Sequence, residues 1–254
     1  MAVRRAAHAS SWYSNDPSEL TQLFDRFLAK AEKTEENVIA LVCPRRVFVL
    51  GPSHHIYLPG CALPPPSVRA YATPLGEIPL DAEVLEALRT QNVFETIALR
   101  DDEEEHSIEM QLPFLRYVLR GQTFTLVPIV VGDLRRSGHV AVDFCHWGRR
   151  FRYTYLPPAP ASLPIYERIR ILDKEGANTI EQQDPAAFQE YYEETGNTIC
   201  GHNPISIFLH LLEESGMPRS AFKTKLLHYS QSSQVEHESS SSVSYAAFAS
   251  SLLP

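Results

Sequence analysis

The sequence has no long apolar run and no excess of basic residues. No stretch approaches the roughly 20 apolar residues that a membrane-spanning helix needs, so we expect no membrane insertion. Lys and Arg number 23 against 31 Asp and Glu, which gives a formal net charge of -8. Because non-specific nucleic-acid binding needs a basic surface, we expect no nucleic-acid partner.

Cysteines are also scarce. The 254 residues contain four, Cys43, Cys61, Cys145 and Cys200, and none of them forms a CxxC pair. This number is too small for a disulfide scaffold, so reduced thiols in the cytoplasm are expected. The basic pair Arg4-Arg5 is not followed by an apolar segment, which argues against a signal peptide.

What the chain does contain is a mixture of predicted helices and strands. Asp16 as a cap, Pro17 at the first helical position and the apolar spacing from Leu20 to Ala31 predict the first helix. The sequence contains no phosphate-binding glycine loop, GxSxG elbow or HExxH motif. The mixture of elements predicts a single α/β domain, a sandwich of mixed sheet and helices. Further helices are predicted from the cap Asp81 through Leu88, after the acidic run Asp101–Glu105, and at Ile165–Lys174, Pro185–Glu194 and Pro204–Glu214, the last two with Asp184 and Asn203 as caps. Strands are predicted at Val38–Val42, Val47–Leu50, Phe124–Val131, His139–Val142, Lys225–Tyr229 and Val243–Phe248, with a proline-rich loop over Pro59–Pro79 that holds at most a short strand at Val68–Tyr71.

Two connections are shorter than a parallel sheet allows. Only four residues separate Val42 from Val47, and only seven separate Val131 from His139. A parallel crossover needs at least roughly 10–12 residues. Either the strands are antiparallel there, or the chain lacks internal segments near 41–46 and 132–141.

Two histidine-containing segments directly follow predicted strands. His54 stands in Gly51-Pro52-Ser53-His54-His55, directly after a strand, where ligand sites of α/β folds gather. The segment Asp143–Gly148 contains Asp143, Cys145 and His146, of which the carboxylate can ligate a metal or orient a histidine and the imidazole can act as a general base. A loop histidine bonded to backbone and a tight turn around a packed Trp are the alternatives. Two such segments in one chain favour a functional site.

Three weaker patterns accompany them. His106 and Glu109 lie three apart on one face of a predicted helix, which suits metal ligation. It suits a surface hydrogen bond or a charge effect at the helix start equally well, and one of these bland roles is favoured. Cys200 precedes a predicted helix whose dipole would favour the thiolate, although a buried inert thiol is the commoner case. The run Arg149–Tyr155 interleaves arginines and aromatics, which suits phosphotyrosine binding or, more commonly, a solvated strand.

Taken together, these segments resemble the Memo (mediator of cell motility) family. That family is similar in fold to the class III extradiol dioxygenases, which use non-haem iron. The resemblance therefore implies an α/β sandwich with a pocket at the strand ends. The matching segments are His8–Tyr13, Val47–His55, Glu105–Pro113, Asp143–Tyr155, Asn197–Pro204, Tyr229–Gln234 and Ser242–Ala247.

The resemblance also implies site residues and chemistry. Family members bind copper or iron through two histidines and a cysteine, of which the second histidine matches His54 and the cysteine matches Cys200. Asp143 and His146 match the further pocket residues, and His146 takes the place of the dioxygenases' catalytic base. The implied activity is a metal-dependent oxidase linked to cell motility signalling, and the implied partners are phosphotyrosine receptor tails or signalling adaptors.

The sequence departs from the family pattern where its connections are short. The family's first ligand histidine follows the first strand in an Ala-Pro-His-Ala-Gly-Tyr motif, which is absent from this chain. A helix and strand between the regions matching Gly132 and Asp143 are also absent. His8 is not assigned as a substitute ligand. A non-catalytic phosphotyrosine adaptor and a truncated isoform with an incomplete metal site therefore stand as alternatives.

Overall fold

The computed structural model describes residues 2–30, 46–132, 143–160 and 162–252. The chain divides into an N-terminal unit, Met1–Asp133, and a C-terminal unit, Leu134–Pro254. Both units contain strands and helices, which confirms the α/β class. The single domain and the extradiol-dioxygenase-like arrangement stay predictions. The predicted strands Val38–Val42 and His139–Val142 lie, with most of both short connections, outside the described residues.

The described residues of the N-terminal unit form two sheets. A four-stranded sheet has the order β2-β7-β3-β6, and a three-stranded sheet has the order β1-β4-β5. Strands β2 and β7 are parallel, with Arg46 opposite Thr125 and Pro52 opposite Val131. Every residue of β7 after Thr125 is buried, as expected for a parallel strand covered on both faces. The strands are β1 Ala2–Arg4, β2 Arg46–Pro52, β3 Cys61–Leu63, β4 Val68–Tyr71, β5 Ile78–Pro79, β6 Phe94–Thr96 and β7 Thr125–Val131.

The short strands correct one expectation. The predicted proline-rich loop contains β3 and β5 as well as the anticipated β4. β3 pairs with β7, and β4 pairs with β1. Strands of two to four residues are too short to show an alternating pattern. Their formation depends on partners that are distant in sequence.

The helices of this unit begin largely where capping residues predict. They are α1 Pro17–Lys30, α2 Ala82–Arg89, α3 Leu99–Glu104 and α4 Leu112–Val118. Asp16 Oδ1 accepts from the amides of Ser18 and Glu19 at 2.7 and 3.0 Å. Asp81 Oδ1 likewise accepts from the Val84 amide at 3.0 Å. Both predicted caps are therefore confirmed.

The helix predicted through His106 is interrupted. After α3 the chain turns at 106–108, passes through a 3₁₀ turn at Glu109–Gln111 and enters α4, which has Pro113 in its first turn. Proline has no amide hydrogen to donate, so it starts this helix rather than bending a longer one. His106 and Glu109 consequently do not share a helical face.

Over residues 143–160 and 162–252, the C-terminal unit forms a three-stranded antiparallel sheet with three α-helices, and the order of its strands is β8-β10-β9. Phe144, Cys145 and Trp147 of β8 pack in a core with residues of the helices, including Ile169 and Leu172. The elements are β8 Asp143–Trp147, α5 Ile165–Glu181, α6 Pro185–Thr195, α7 His202–Glu214, β9 Phe222–Gln231 and β10 Ser242–Leu252.

Two expectations for this unit are corrected. The Asp143–Trp147 segment was expected after a strand, but it forms the strand β8 itself, and its apolar residues Phe144, Cys145 and Trp147 are buried in the core. Helix α7 begins at His202 with Gly201 at the cap, so Asn203 lies inside the first turn. Pro204 still fits there, since the first turn donates no backbone hydrogen bond within the helix. Over the described residues, every helix is too short or too polar to cross a membrane.

Candidate metal centre

A buried carboxylate holds His54 at the end of β2. Glu105 is 2% exposed, and its Oε2 accepts from the backbone amides of His54 at 2.5 Å and His55 at 3.2 Å. Its Oε1 accepts from the Ser107 amide at 2.9 Å and lies 3.1 Å from His54 Nδ1. These contacts fix both the backbone and the ring of His54 relative to the carboxylate.

The same contacts set the charge of Glu105. Burial raises the pKa of this carboxyl. The hydrogen bonds from His54 and Ser107 and the charge of His54 outweigh burial and lower the pKa to about 2. Glu105 is therefore ionised at neutral pH. A carboxylate that is fixed against an imidazole in this way can compensate the positive charge of a bound cation.

His106 completes a group of three metal-binding side chains. Its ring stacks on that of His54 with 4.6 Å between centroids and 20° between planes. Its Nδ1 lies 3.7 Å from Oε1 of Glu105. The ligand atoms of His54, Glu105 and His106 all lie within 4.8 Å of one another. Two imidazoles and a carboxylate fit a divalent transition metal, so the donor set is compatible with the expected iron or copper.

A second histidine–carboxylate pair lies nearby. Glu109 is fully buried and accepts from the His8 amide at 2.8 Å, and its Oε2 lies 3.0 Å from His8 Nδ1. The Tyr13 hydroxyl donates to Glu109 at 2.9 Å. The His8 ring is 5.9 Å from that of His106. Sequence reasoning left His8 unassigned and favoured a surface role for Glu109, because no local pattern relates residues so far apart.

One buried arginine, Arg4, anchors the stretch of chain that contains both Glu105 and Glu109. Arg4 donates from Nη1 to Glu109 Oε2 at 2.6 Å and lies 3.3 Å from Asp102 Oδ1 through Nε. Nη2 donates to the carbonyl of Glu105 at 2.7 Å. The acidic run was the available signal, since buried acids need a cationic partner, but it does not identify which arginine that is.

Gly51 allows this segment to approach β2. A Cβ at Gly51 would lie 2.5 Å from Ser107 Oγ and 2.6 Å from Ile108 Cγ1. The Ser107 hydroxyl instead donates to the Pro52 carbonyl at 2.9 Å. The glycine is therefore required for close approach, which places His106 beside His54.

The C-terminal unit contains the other predicted site residues. His146, on β8, donates its amide to Thr198 Oγ1 at 2.8 Å, and its Nδ1 lies 3.1 Å from the Thr198 carbonyl. Cys200 is two residues further on, partly buried and directly before α7. The structure therefore places His146 against the segment that contains Cys200. Asp143 begins β8, and its side chain lies outside the described part of the chain. His54 belongs to the N-terminal unit.

A buried polar network contacts β8 at Cys145. Asp173 is fully buried and accepts from the Tyr229 hydroxyl at 2.8 Å and from Asn197 Nδ2 at 3.4 Å. The Cys145 amide also donates to it. Burial raises the pKa of Asp173 to about 6, in spite of these hydrogen bonds. Sequence reasoning did not identify this residue, which lies within a regular helical pattern.

Comparison with known proteins gives matches over nearly the whole chain. The family model described as Memo-like protein matches residues 44–249. Protein MEMO1 of Danio rerio is 36% identical over 291 residues, with 97% of each chain covered. Protein MEMO1 of Homo sapiens is 35% identical, again with 97% of each chain covered. The protein memo-1 homolog of Caenorhabditis elegans is 37% identical, covering 96% of this chain and 81% of its own.

The aligned lengths exceed the length of this chain. The alignment with the Danio rerio protein spans 291 positions against 254 residues, a difference of 37. At least that many aligned positions therefore have no residue in this chain. The two sites predicted for missing segments, near 41–46 and 132–141, stay predictions.

Proposed function

This chain belongs to the Memo family, and on that premise we propose that it is a metal-binding protein with metal-dependent redox activity. Copper or iron is the proposed metal, with His54 as a ligand; Cys200 stays the further ligand that the family resemblance implies. Asp143 and His146 are the proposed acid–base residues. The proposed setting is cell motility signalling in the cytoplasm.

The observation that carries this proposal is the fixed contact between His54 and the ionised, buried Glu105. Metal-binding histidines typically have a carboxylate or carbonyl partner that orients the ring and raises its basicity. Here the carboxylate binds both the ring and the amide of His54. The negative charge of Glu105 by itself favours a cation at this place.

A bound copper or iron ion would supply one-electron chemistry with dioxygen or an organic substrate. The protein's part is to position and to move protons. His146 is held at its amide and near its ring by Thr198, which limits ring rotation and suits a general base. The partly buried thiol of Cys200 suits a soft metal.

Metal content and oxygen consumption together test the proposal. The purified chain is reconstituted with Fe(II) or Cu(I), and bound metal is measured by mass spectrometry alongside dioxygen uptake with a chemical reductant. We expect about one metal per chain. His54→Ala should lower both metal content and uptake, whereas His228→Ala, at an exposed position on β9, should change neither. A wild-type chain that binds no metal would refute the proposal.

A second candidate, a phosphotyrosine adaptor, is favoured by one observation. Arg149, Arg150 and Arg152 are exposed around a 3₁₀ turn, and the Arg150 guanidinium lies 4.4 Å from the centre of the Phe151 ring. That ring is 5.2 Å from the ring of His146. Guanidinium groups match phosphate oxygens, and an aromatic ring can contact the tyrosine.

Peptide binding tests the second candidate. Fluorescence anisotropy compares one tyrosine-containing peptide with and without its phosphate. The adaptor role predicts preference for the phosphorylated form, loss of that preference in Arg150→Ala, and unchanged binding in His54→Ala. Equal affinity for the two peptides would contradict it.

A further inference from the structure

We propose that His54, His106 and Glu105 form a two-histidine, one-carboxylate site for ferrous iron within the N-terminal unit. The inference rests on the proposed metal-binding function and changes its ligand set. His106 supplies the second imidazole in place of the family's first ligand histidine, which this chain lacks. The Cys200 thiolate is not required.

The carboxylate oxygen lies at the centre of this group. Oε1 of Glu105 is 3.1 Å from Nδ1 of His54 and 3.7 Å from Nδ1 of His106. Ligand atoms that share a metal at about 2.0–2.2 Å lie about 3 Å apart. The two measured separations are close to that value. A metal bound at Oε1 and both Nδ1 atoms would replace the proton that His54 and Glu105 share.

The required rearrangement is small. One ligand atom from each of the three residues lies within 4.8 Å of the other two, so closing onto one metal needs less than about 2 Å of movement. The side chains of His54 and His106 are 34% and 28% exposed, so a metal ion can reach both rings from solvent. Glu105 is held by backbone amides on both oxygens and His54 is held by Glu105, so most of the movement falls to the His106 ring.

The donor set indicates the metal. Two imidazoles and one carboxylate are typical of non-haem Fe(II) sites, whereas Cu(I) prefers thiolate and thioether ligands. The three side chains come from two adjacent segments, the end of β2 and the turn after α3. Gly51 holds these segments together by allowing Ser107 to approach the strand. The fold therefore assembles a complete set of three ligands without a residue of the C-terminal unit.

Anaerobic titration of the full-length, metal-free chain tests the inference. Fe(II) affinity is measured by calorimetry, and Co(II) is used as a spectroscopic probe of the ligand atoms. We expect His106→Ala to weaken Fe(II) binding by more than the roughly 10–100-fold that loss of an outer partner costs. Cys200→Ala should leave affinity unchanged, and the Co(II) spectrum of the wild type should contain no thiolate-to-metal charge-transfer band.

His55→Ala is the matched control. His55 is adjacent to His54, its Nε2 lies 3.7 Å from Asp101 Oδ1, and it lies outside the group of three. The His55→Ala variant should therefore bind Fe(II) with the affinity of the wild type. His106→Gln, which keeps a polar side chain of similar length, is titrated alongside His106→Ala, and circular dichroism confirms that each variant is folded. Weakened binding in the folded Gln variant supports the inference even where the Ala variant unfolds.

Three results would overturn the inference in distinguishable ways. Weakening by Cys200→Ala together with unchanged binding in His106→Gln would refute this ligand set and leave the proposed function standing. A thiolate band in the wild-type Co(II) spectrum would do the same. A wild-type chain that binds neither Fe(II) nor Co(II) would refute the ligand set and the metal-binding function together.

Discussion

Replacement of Arg4 by Met removes the cation that holds strand β1 against the segment 102–109, which contains Asp102, Glu105 and Glu109. The Arg4 side chain is 1% exposed, and its donors contact the carboxylates of Asp102 and Glu109 and the carbonyls of Asp102 and Glu105. Methionine has a similar length and keeps the apolar stem. The substitution therefore leaves the shape largely intact and removes charge and hydrogen bonds.

The expected magnitude follows from the buried ion pairs. Removing one partner of a buried pair costs about 3–5 kcal/mol, because the remaining charge is left uncompensated. That is a large share of the roughly 5–15 kcal/mol that stabilises a typical domain. We expect the free energy of unfolding, measured by urea denaturation, to fall by about this amount. Arg4→Met combined with Glu109→Gln should recover part of the loss, since one orphaned carboxylate is removed.

The loss should depend on pH in a defined direction. Burial raises the pKa of Glu109, but the charge of Arg4 and hydrogen bonds from His8 and Arg4 bring it below its ordinary value. A carboxyl with a lowered pKa contributes stability above its unfolded value of about 4.3, and this is lost as pH falls through the folded value. The difference between wild type and Arg4→Met should therefore narrow below about pH 4.

Arg5 provides the matched control. It is the next residue in the chain, its side chain is 79% exposed, and it pairs with Glu103 at 2.5 Å. Because exposed ion pairs are screened by water, Arg5→Met should change stability much less than Arg4→Met. Equal losses in the two variants, or a difference that does not narrow in acid, would refute the reasoning from buried charge.

Three further predictions concern other parts of the chain. Gly51→Ala should displace the Ser107 segment, because its Cβ would lie 2.5 Å from Ser107 Oγ, and thermal melting should show destabilisation of about 1–3 kcal/mol; an unchanged melting temperature would contradict the close approach. Burial raises the pKa of Asp173 to about 6, above its unfolded value, so the wild type should lose up to about 3 kcal/mol as pH rises from about 4 to 6. Asp173→Asn should lack that loss, and parallel pH profiles of the two proteins would contradict the assignment. Iodoacetamide should modify the partly exposed Cys200 before the fully buried Cys145, as peptide mass spectrometry can measure; early modification of Cys145 would show that β8 opens.

Much of the secondary structure follows from local chemistry. Asp16 and Asp81 cap the helices that they were expected to cap, and Pro113 marks a helix start, because capping and the missing proline amide act within one turn. The strand at Val47–Leu50 and the late strands were also predicted, although with shorter bounds than observed. Local patterns do not define the two- to four-residue strands, whose stability comes from distant pairing partners.

The sequence alone determined the family and the α/β class and led to His54 as a predicted site residue, since these depend on residue types and their order along the chain. Only the tertiary structure decided which groups surround His54. His8 meets Glu109 across 101 residues of sequence, and His54 meets Glu105 across 51. Each buried carboxylate must find donors within about 3 Å, and that requirement is satisfied by folding rather than by any spacing along the chain.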